Sequence, residues 1–410
     1  MLSIRWSGEN TDRTVDVLKK VNVLAELLNC ALFDETIEES VKKTITDNLS
    51  VIYNVSLRHD LVHLVEHAFG KSAIAVSDEG MAYDFLKQKA LSVMRYEDIK
   101  RVQKQVSELF EKEKIPFVLL KGAVIRNLYP EPWMRTSCDV DVLVHKEDLE
   151  RARDVAVEKL GFSADREMHY HDISLHSDTD VHVELHFNIK ENMDNIDSLL
   201  ENVWEYASPV NDGASEHVLT NEFFVFQNIA HMSYHFVGGG CGIRSFIDLF
   251  LIKKNMSFDE AKLLDMLEKC GIRTFYEACV RYAEVWFTDR EHDDVTRLMH
   301  SYLLEGGTYG SKQKSILSKN INKSKFSYIF ERIFLPYEHL CITYPKLKGK
   351  PFLTPFYQLK RWCRIVSKGR AGISAKEIVV CSNISDENKK QMADMFEKVG
   401  LINAVIKKQG

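Results

Sequence analysis

Three short segments with a two-residue hydrophobic rhythm constrain this chain more than any other feature of its sequence. They are Phe117–Leu120, Asp139–Val144 and Val181–Phe187. In extended backbone, successive side chains leave opposite faces. Asp139 and Asp141 therefore point one way, and Val140, Val142 and Val144 the other. Val181, Val183, Leu185 and Phe187 likewise form an apolar face opposite His182, Glu184 and His186. Two such strands side by side would bury their valines under helices and aim Asp139, Asp141 and Glu184 at one point. Three ionised carboxylates repel one another unless cations sit among them. Hard oxygen donors of this kind suit Mg²⁺, which works with substrate phosphates and a few carboxylates. The residues point to metal-assisted phosphoryl or nucleotidyl transfer, with Asp139, Asp141 and Glu184 as the catalytic and metal-binding side chains.

Around these segments the pattern is helical. Val15, Leu18, Val21, Leu24 and Leu27 recur at helical spacing. Ser77-Asp78-Glu79 offers cap residues before a long helix expected to start near Met81. Its end is expected near Lys114, because Pro116 forces the chain out of helix. The core then reads in order: strand Ile115–Leu120, turn Lys121-Gly122, short helix Ala123–Tyr129, strand Asp139–His145 and helix Lys146–Leu160, stopped by Gly161. A hairpin of Phe162–Met168 and Ile173–His176 follows, then the strand Val181–Ile189. A glycine between strand and helix lets backbone approach a phosphate, which a helix N-terminus favours.

Past Asn192 helices are expected at Ile196–Tyr206, Glu222–Phe236, Ile243–Lys253, Phe258–Lys269, Arg273–Phe287 and Asp293–Leu304. Four of the eight prolines fall between Pro336 and Pro355, beside a basic, aromatic stretch over residues 346–370. That stretch reads as a solvated loop or a contact for an anionic surface. The tail reads strand–helix–strand over Glu377–Cys381, Asp386–Val399 and Leu401–Ile406. The expected fold class is α+β, a small mixed-sheet core flanked by helical regions. The corresponding division is residues 1–114 helical, 115–192 α/β core, 193–330 helical and 331–410 basic segment and tail.

Composition removes several classes of function. A formal charge of −6 offers no bulk attraction for a nucleic-acid backbone, so nucleic acid is not an expected partner. The eight cysteines lack any CxxC pair, which argues against a zinc knuckle and for reduced thiols. No apolar run approaches the roughly 18 residues of a membrane span. The first ten residues carry no apolar signal core. The expected setting is the cytoplasm.

Other clusters compete for a role. His63-Leu64-Val65-Glu66-His67 fits the H-x-x-E-H zinc-protease pattern. An amphipathic helix with two polar histidines accounts for so short a pattern better. His169, His171, His176, His182 and His186 recur at strand period, which suits a polar substrate groove with His182 and His186 flanking Glu184. His231 and His235 share a helical face, as do Arg244 and Asp248. They form either a buried polar network or a wall of an acceptor pocket. Gly238-Gly239-Gly240-Cys241-Gly242 lacks the lysine and hydroxyl of a P-loop and reads as a flexible connector.

Lys121-Gly122, Arg135, Asp139-Val140-Asp141-Val142-Leu143-Val144 and Glu184-Leu185-His186, in that order, resemble the polymerase-β-type nucleotidyltransferases. Within them the chain is most similar to the largely uncharacterised bacterial nucleotidyltransferase family proteins. The resemblance covers Ile115–Ile189 and extends more loosely into the flanking helices, where His235, Arg244 and Asp248 fall. It implies that Asp139 and Asp141 bind two Mg²⁺ ions, one bridging nucleotide phosphates and one activating the acceptor. Glu184 would complete the acceptor-side metal site or act as its base. Lys121 and Gly122 would hold phosphate, and Arg135 would offset triphosphate charge. Paired metals clamp the attacking and leaving oxygens, and preorganised cations stabilise the charge that develops.

The implied reaction moves a nucleoside monophosphate from an NTP such as ATP onto an unidentified hydroxyl-bearing acceptor: a small molecule, glycan or protein. For that acceptor, His182, His186, His235, Arg244 and Asp248 are the candidate contacts. The alternative is a non-catalytic nucleotide-binding or regulatory protein on the same fold. One departure bears on the choice. The superfamily usually has a serine beside the motif glycine, and Lys121-Gly122-Ala123 offers no hydroxyl. Phosphate grip then falls to the backbone and Lys121, or is weaker.

Overall fold

A 35-residue helix, α1 (Glu79–Glu113), leads into the sheet and forms part of its back wall. The computed structural model describes residues 23–165, 172–304, 307, 312–318, 321, 330, 333–367 and 386–403. Helix α1 begins at its cap signal, the Asp78 carboxylate accepting from the Met81 N–H at 2.7 Å. At its far end Lys114 turns left-handed (φ 54°) and the Ile115 N–H bonds back to the Phe110 carbonyl. Pro116 then holds the chain extended into the first strand.

Seven strands make one mixed sheet: β1 (Phe117–Leu119), β2 (Asp139–Val144), β3 (Ser163–Ala164), β4 (Asp172–His176), β5 (His182–His186), β6 (Ala207–Pro209) and β7 (Glu216–Leu219). Their order is β3-β4-β5-β2-β1-β7-β6. Pairs β2–β5 and β1–β7 are parallel, and the other pairs antiparallel. The α+β class holds, with helices flanking a single mixed sheet.

Two strands correct the expectation that the chain past Asn192 is purely helical. Strands β6 and β7 have no apolar alternation to announce them. They exist because β1 offers an edge: the Phe117 N–H donates to the Ser215 carbonyl at 2.9 Å. The Glu111 carboxylate accepts from the N–H groups of Ser215 and Glu216 at 2.9 and 2.8 Å, fixing where β7 starts. Strand β3 is shorter than expected; His169 and His171 lie outside the described residues, as does the expected strand Glu377–Cys381. Residues 401–403, the described part of the last expected strand, are not extended.

The valines settle which face is buried. Val140, Val142, Val144, Val183 and Leu185 pack under Ile99, Val102, Val106 and Phe110 of α1. Ala152 and Ala156 of α2 (Leu149–Leu160) join the same cluster. Each such Val or Leu removed from water contributes about 1.5–3 kcal/mol, so a one-residue register slip, which would put aspartates there instead, is excluded.

The opposite face looks across a cavity to the C-terminal helices α3 (Asn221–Val237) and α4 (Arg244–Asn255), and α5 (Arg273–Phe287) packs on α4. These match the expected helices to within two residues. One continuous apolar cluster runs through them, from Val23 through Phe226 and Phe246 to Leu401. The glycine run between α3 and α4 is not a flexible connector. Gly239–Gly242 are buried, and Gly239 and Gly240 hold φ of 135° and 114°, where a side chain would be strained. Among the described residues no helix is long and apolar enough to cross a membrane.

Candidate active site

Parallel pairing of β2 with β5 sets Asp141 directly opposite Glu184 and Asp139 opposite His182. All three carboxylates leave the face that the valines do not. They open into a cavity of about 350 Å³ bounded by the sheet and the Lys121-Gly122 turn on one side and by α3 and α4 on the other. Lys121, Gly122, Arg135, His235, Arg244 and Asp248 line the same cavity.

His182 and His186 do not line it but support Glu184 from behind. His186 is buried, its Nε2 lying 2.9 Å from Asp141 Oδ1 and 3.3 Å from Glu184 Oε2. His182 Nδ1 is 3.3 Å from Glu184 Oε1, and its ring stacks on His176 with centroids 5.0 Å apart. Ligand-capable atoms of Asp141, Glu184 and His186 all lie within 4.8 Å of one another, the one such trio among the described residues. Asp139 faces the cavity outside that trio.

The carboxylates differ in their electrostatics. Burial, reinforced by the charges of Asp141 and Glu184, pushes Asp139 above the usual carboxylate range. Asp141 is also buried, yet the Lys121 charge and the His186 hydrogen bond hold it well below that range. Glu184 is lowered chiefly by its hydrogen bond from His186, against burial. Burial disfavours the His186 cation, but bonds to Asp141 and Glu184 prevail and push its pKa up to about 9. The His186 ring thus stands against two carboxylates at once.

The turn after β1 is strained. Lys121 adopts φ 38° and ψ −97°, a conformation costly for a residue with a side chain. The helix that follows covers only Gly122–Ile125 before tightening to a 3₁₀ turn, Arg126–Leu128, so it is shorter than expected. No lysine forms an ion pair with Asp139, Asp141 or Glu184 among the described residues. The Lys121 ammonium lies instead 3.3 Å from His231 Nδ1.

Arg135 is tied down more firmly than its expected role required. Its Nε and Nη2 make a two-pronged bond to the Asp248 carboxylate at 3.0–3.2 Å, and the Tyr129 hydroxyl donates to the same carboxylate at 2.7 Å. Arg244 donates to Asp60 and Thr136. Arg244 and Asp248 share a helical face, as expected, but each is paired with a distant segment rather than with the other.

Sequence reasoning passed over Arg126, Ser137 and Glu191. Arg126 is buried and donates to the Gly122 carbonyl at 2.8 Å and to Ser137 Oγ at 3.2 Å. Burial, then the neighbouring Arg135, push its guanidinium down to about 10. Ser137 lines the cavity, and its Cβ lies 3.8 Å from where a Cβ on Gly122 would sit. A hydroxyl therefore does stand beside the motif glycine, supplied from fifteen residues on. Glu191 bonds His231 at 2.8 Å. Only spatial closeness reveals these three; no sequence period marks them.

The zinc-protease pattern does not form a site. His63 is buried with Nε2 bonded to the Met134 carbonyl at 2.8 Å, Glu66 pairs with Lys89, and His67 packs edge-on against Trp133.

Residues 32–288 match the family described as uncharacterised nucleotidyltransferase. The chain belongs to that family. The matched span takes in every strand and every cavity-lining residue named above. No curated protein matches the chain. A nucleotide is the substrate that membership of this family implies, and a carboxylate–histidine site of this kind is suited to a metal ion.

Proposed function

We propose that this member of the nucleotidyltransferase family is a cytoplasmic, Mg²⁺-dependent enzyme of the polymerase-β type. It would move a nucleoside monophosphate from an NTP to a hydroxyl-bearing acceptor, a small molecule, glycan or protein. The observation that carries the reading is the opening of Asp139, Asp141 and Glu184, from two adjacent parallel strands, into the cavity that Lys121 and Gly122 line. The donor set fits the metal: hard carboxylate oxygens, largely withdrawn from water and opening on one cavity. Asp139, Asp141 and Glu184 would hold it, with His186 orienting Asp141 and Glu184. Bound there, two divalent ions would neutralise the triphosphate and polarise the reacting oxygens.

The chain's own groups have separate tasks. Lys121 and the Gly122 backbone receive phosphate oxygens. Ser137 adds a hydroxyl next to them, and Arg126 and Arg135 place two guanidinium groups behind the turn. Nη1 of Arg135 lies only 2.9 Å from the point a Gly122 Cβ would occupy, so backbone and guanidinium approach as closely as glycine allows. Arg244, Asp248 and His235 form the acceptor side. The test is pyrophosphate release from each of ATP, CTP, GTP and UTP with Mg²⁺ and a metabolite, glycan and protein extract. Absence of release with all four would sink the reading.

A second reading is a non-catalytic nucleotide-binding or regulatory protein. His186 favours it, because its Nε2 already lies within reach of both Asp141 and Glu184 without a metal. Magnesium-dependent NTP binding without pyrophosphate release would select it.

A further inference from the structure

Glu184 is poorly suited to take a proton from an acceptor, since two imidazoles already satisfy it. Across the cavity stands a group that is better placed. His231 and His235, one turn apart on α3, bring their Nε2 atoms to 3.0 Å. The other nitrogen of His231, Nδ1, lies 2.8 Å from Glu191 Oε1. A contact between two ring nitrogens needs one proton between them. With His231 Nδ1–H donated to Glu191, the neutral His231 presents a lone pair at Nε2, and His235 Nε2–H donates to it. The Glu191 carboxylate is largely buried, and against that burial His231 holds its pKa below the usual range. Carboxylate, imidazole and imidazole thus stand in line, and the His235 ring lines the cavity.

We propose that Glu191, His231 and His235 form a proton relay that activates the acceptor hydroxyl, with His235 as the catalytic base and the other two as positioning residues. The inference rests on the transferase reading above. In the step, the acceptor O–H bond breaks and its proton goes to His235. The oxygen's electron pair forms the new bond to the α-phosphorus, and the bond from that phosphorus to the bridging oxygen breaks. Pyrophosphate leaves with those electrons. The positive charge gained by His235 is shared with His231 and balanced by Glu191. The charged groups set against the pair are Glu191, Lys121, 3.3 Å from His231 Nδ1, and more distantly Asp141.

The experiment uses the full chain with Mg²⁺ and each of the four NTPs. The acceptor source is a low-mass cell extract, with glycerol at molar concentration as surrogate hydroxyl. His235→Gln is expected to lower kcat about 10²–10³-fold while KM for the NTP and Mg–NTP binding measured by calorimetry stay within twofold. Exogenous imidazole should restore part of the activity of His235→Ala. His231→Asn combined with His235→Gln should be no worse than His235→Gln alone, as expected of residues acting as a unit. A kcat within threefold of wild type for His235→Gln overturns the relay and leaves the transferase reading standing. So does loss of NTP binding in that variant, which would make the histidine structural. No pyrophosphate from the wild type with any NTP overturns both.

Discussion

The two walls of the cavity were built by different rules. The sheet wall is local: Asp139, Asp141 and Glu184 are fixed by alternation along two strands and by one register, and their partner His186 is two residues from Glu184. The helix wall is assembled from afar. Arg135 meets Asp248 across 113 positions, and Arg244 meets Asp60 across 184. On the first wall three carboxylates crowd together, poised for something not of the protein. On the second the charges are paired off and hold the structure together. Substitutions should therefore separate: at the sheet-wall carboxylates activity falls and the fold survives, whereas breaking the Arg135–Asp248 or Arg244–Asp60 pair costs stability first.

The largest effect is expected at the sheet wall. Asp141→Asn keeps the shape but removes a charge, and should cut pyrophosphate release by at least ~10³-fold. Its melting temperature should stay within a few degrees, because relief of carboxylate repulsion offsets the weakened bond to His186. A parallel loss of folding would erase the distinction between the walls. Asp248→Ala tests the other side. It strands a buried guanidinium and should cost about 3–5 kcal/mol in denaturant unfolding. An Arg135→Met, Asp248→Leu double variant should regain much of that.

Acid should also act through the helical part. Burial, with the Arg58 charge, pushes His59 down to about 4, and burial, with His292, pushes His300 down to about 3. Both sit below the ordinary 6.5, so the unfolded chain takes up protons first. Their stabilisation is complete above pH 6.5 and drains away as pH falls towards 4 and then 3, at up to roughly 1.4 kcal/mol per unit for each. Unfolding midpoints at pH 7 and 4.5 measure the slope, and His59→Leu should flatten it. An unchanged slope would mean that His59 titrates alike in the folded and the unfolded chain.

Smaller effects return to the turn after β1. Gly122→Ala places a methyl 2.9 Å from Arg135 Nη1, on a guanidinium whose Nε and Nη2 are held by Asp248. KM for the NTP should rise about tenfold, or ~1.4 kcal/mol, with kcat little changed. Smallest of all is His182→Ala, which removes a partly exposed partner of Glu184 and should change kcat less than threefold; a larger loss would make His182 part of the machinery.

What could be read from sequence follows the same divide. The valine and aspartate alternation foretold β2, β5 and their facing, because a two-residue period survives in one dimension. Helix α1 was foretold by Asp78 at one end and Pro116 at the other. Strands β6 and β7 were not, since they are held by backbone pairing and the Glu111 carboxylate rather than by pattern. Arg126 and Ser137 were missed for a related reason: their meaning lies in distance to Gly122, which spacing along the chain does not encode. The expected groove of His182 and His186 shows the converse error. Strand period placed both beside Glu184, but not which one would be buried beneath it.

The seat of β1, between β2 and β7, has a consequence for anyone who would cut the molecule apart. A piece excised at residue 192 would keep the acidic strands yet leave β1 with a raw hydrogen-bonding edge and the carboxylates facing open water. Such a fragment would be prone to stick to copies of itself, and it would carry half a reaction vessel.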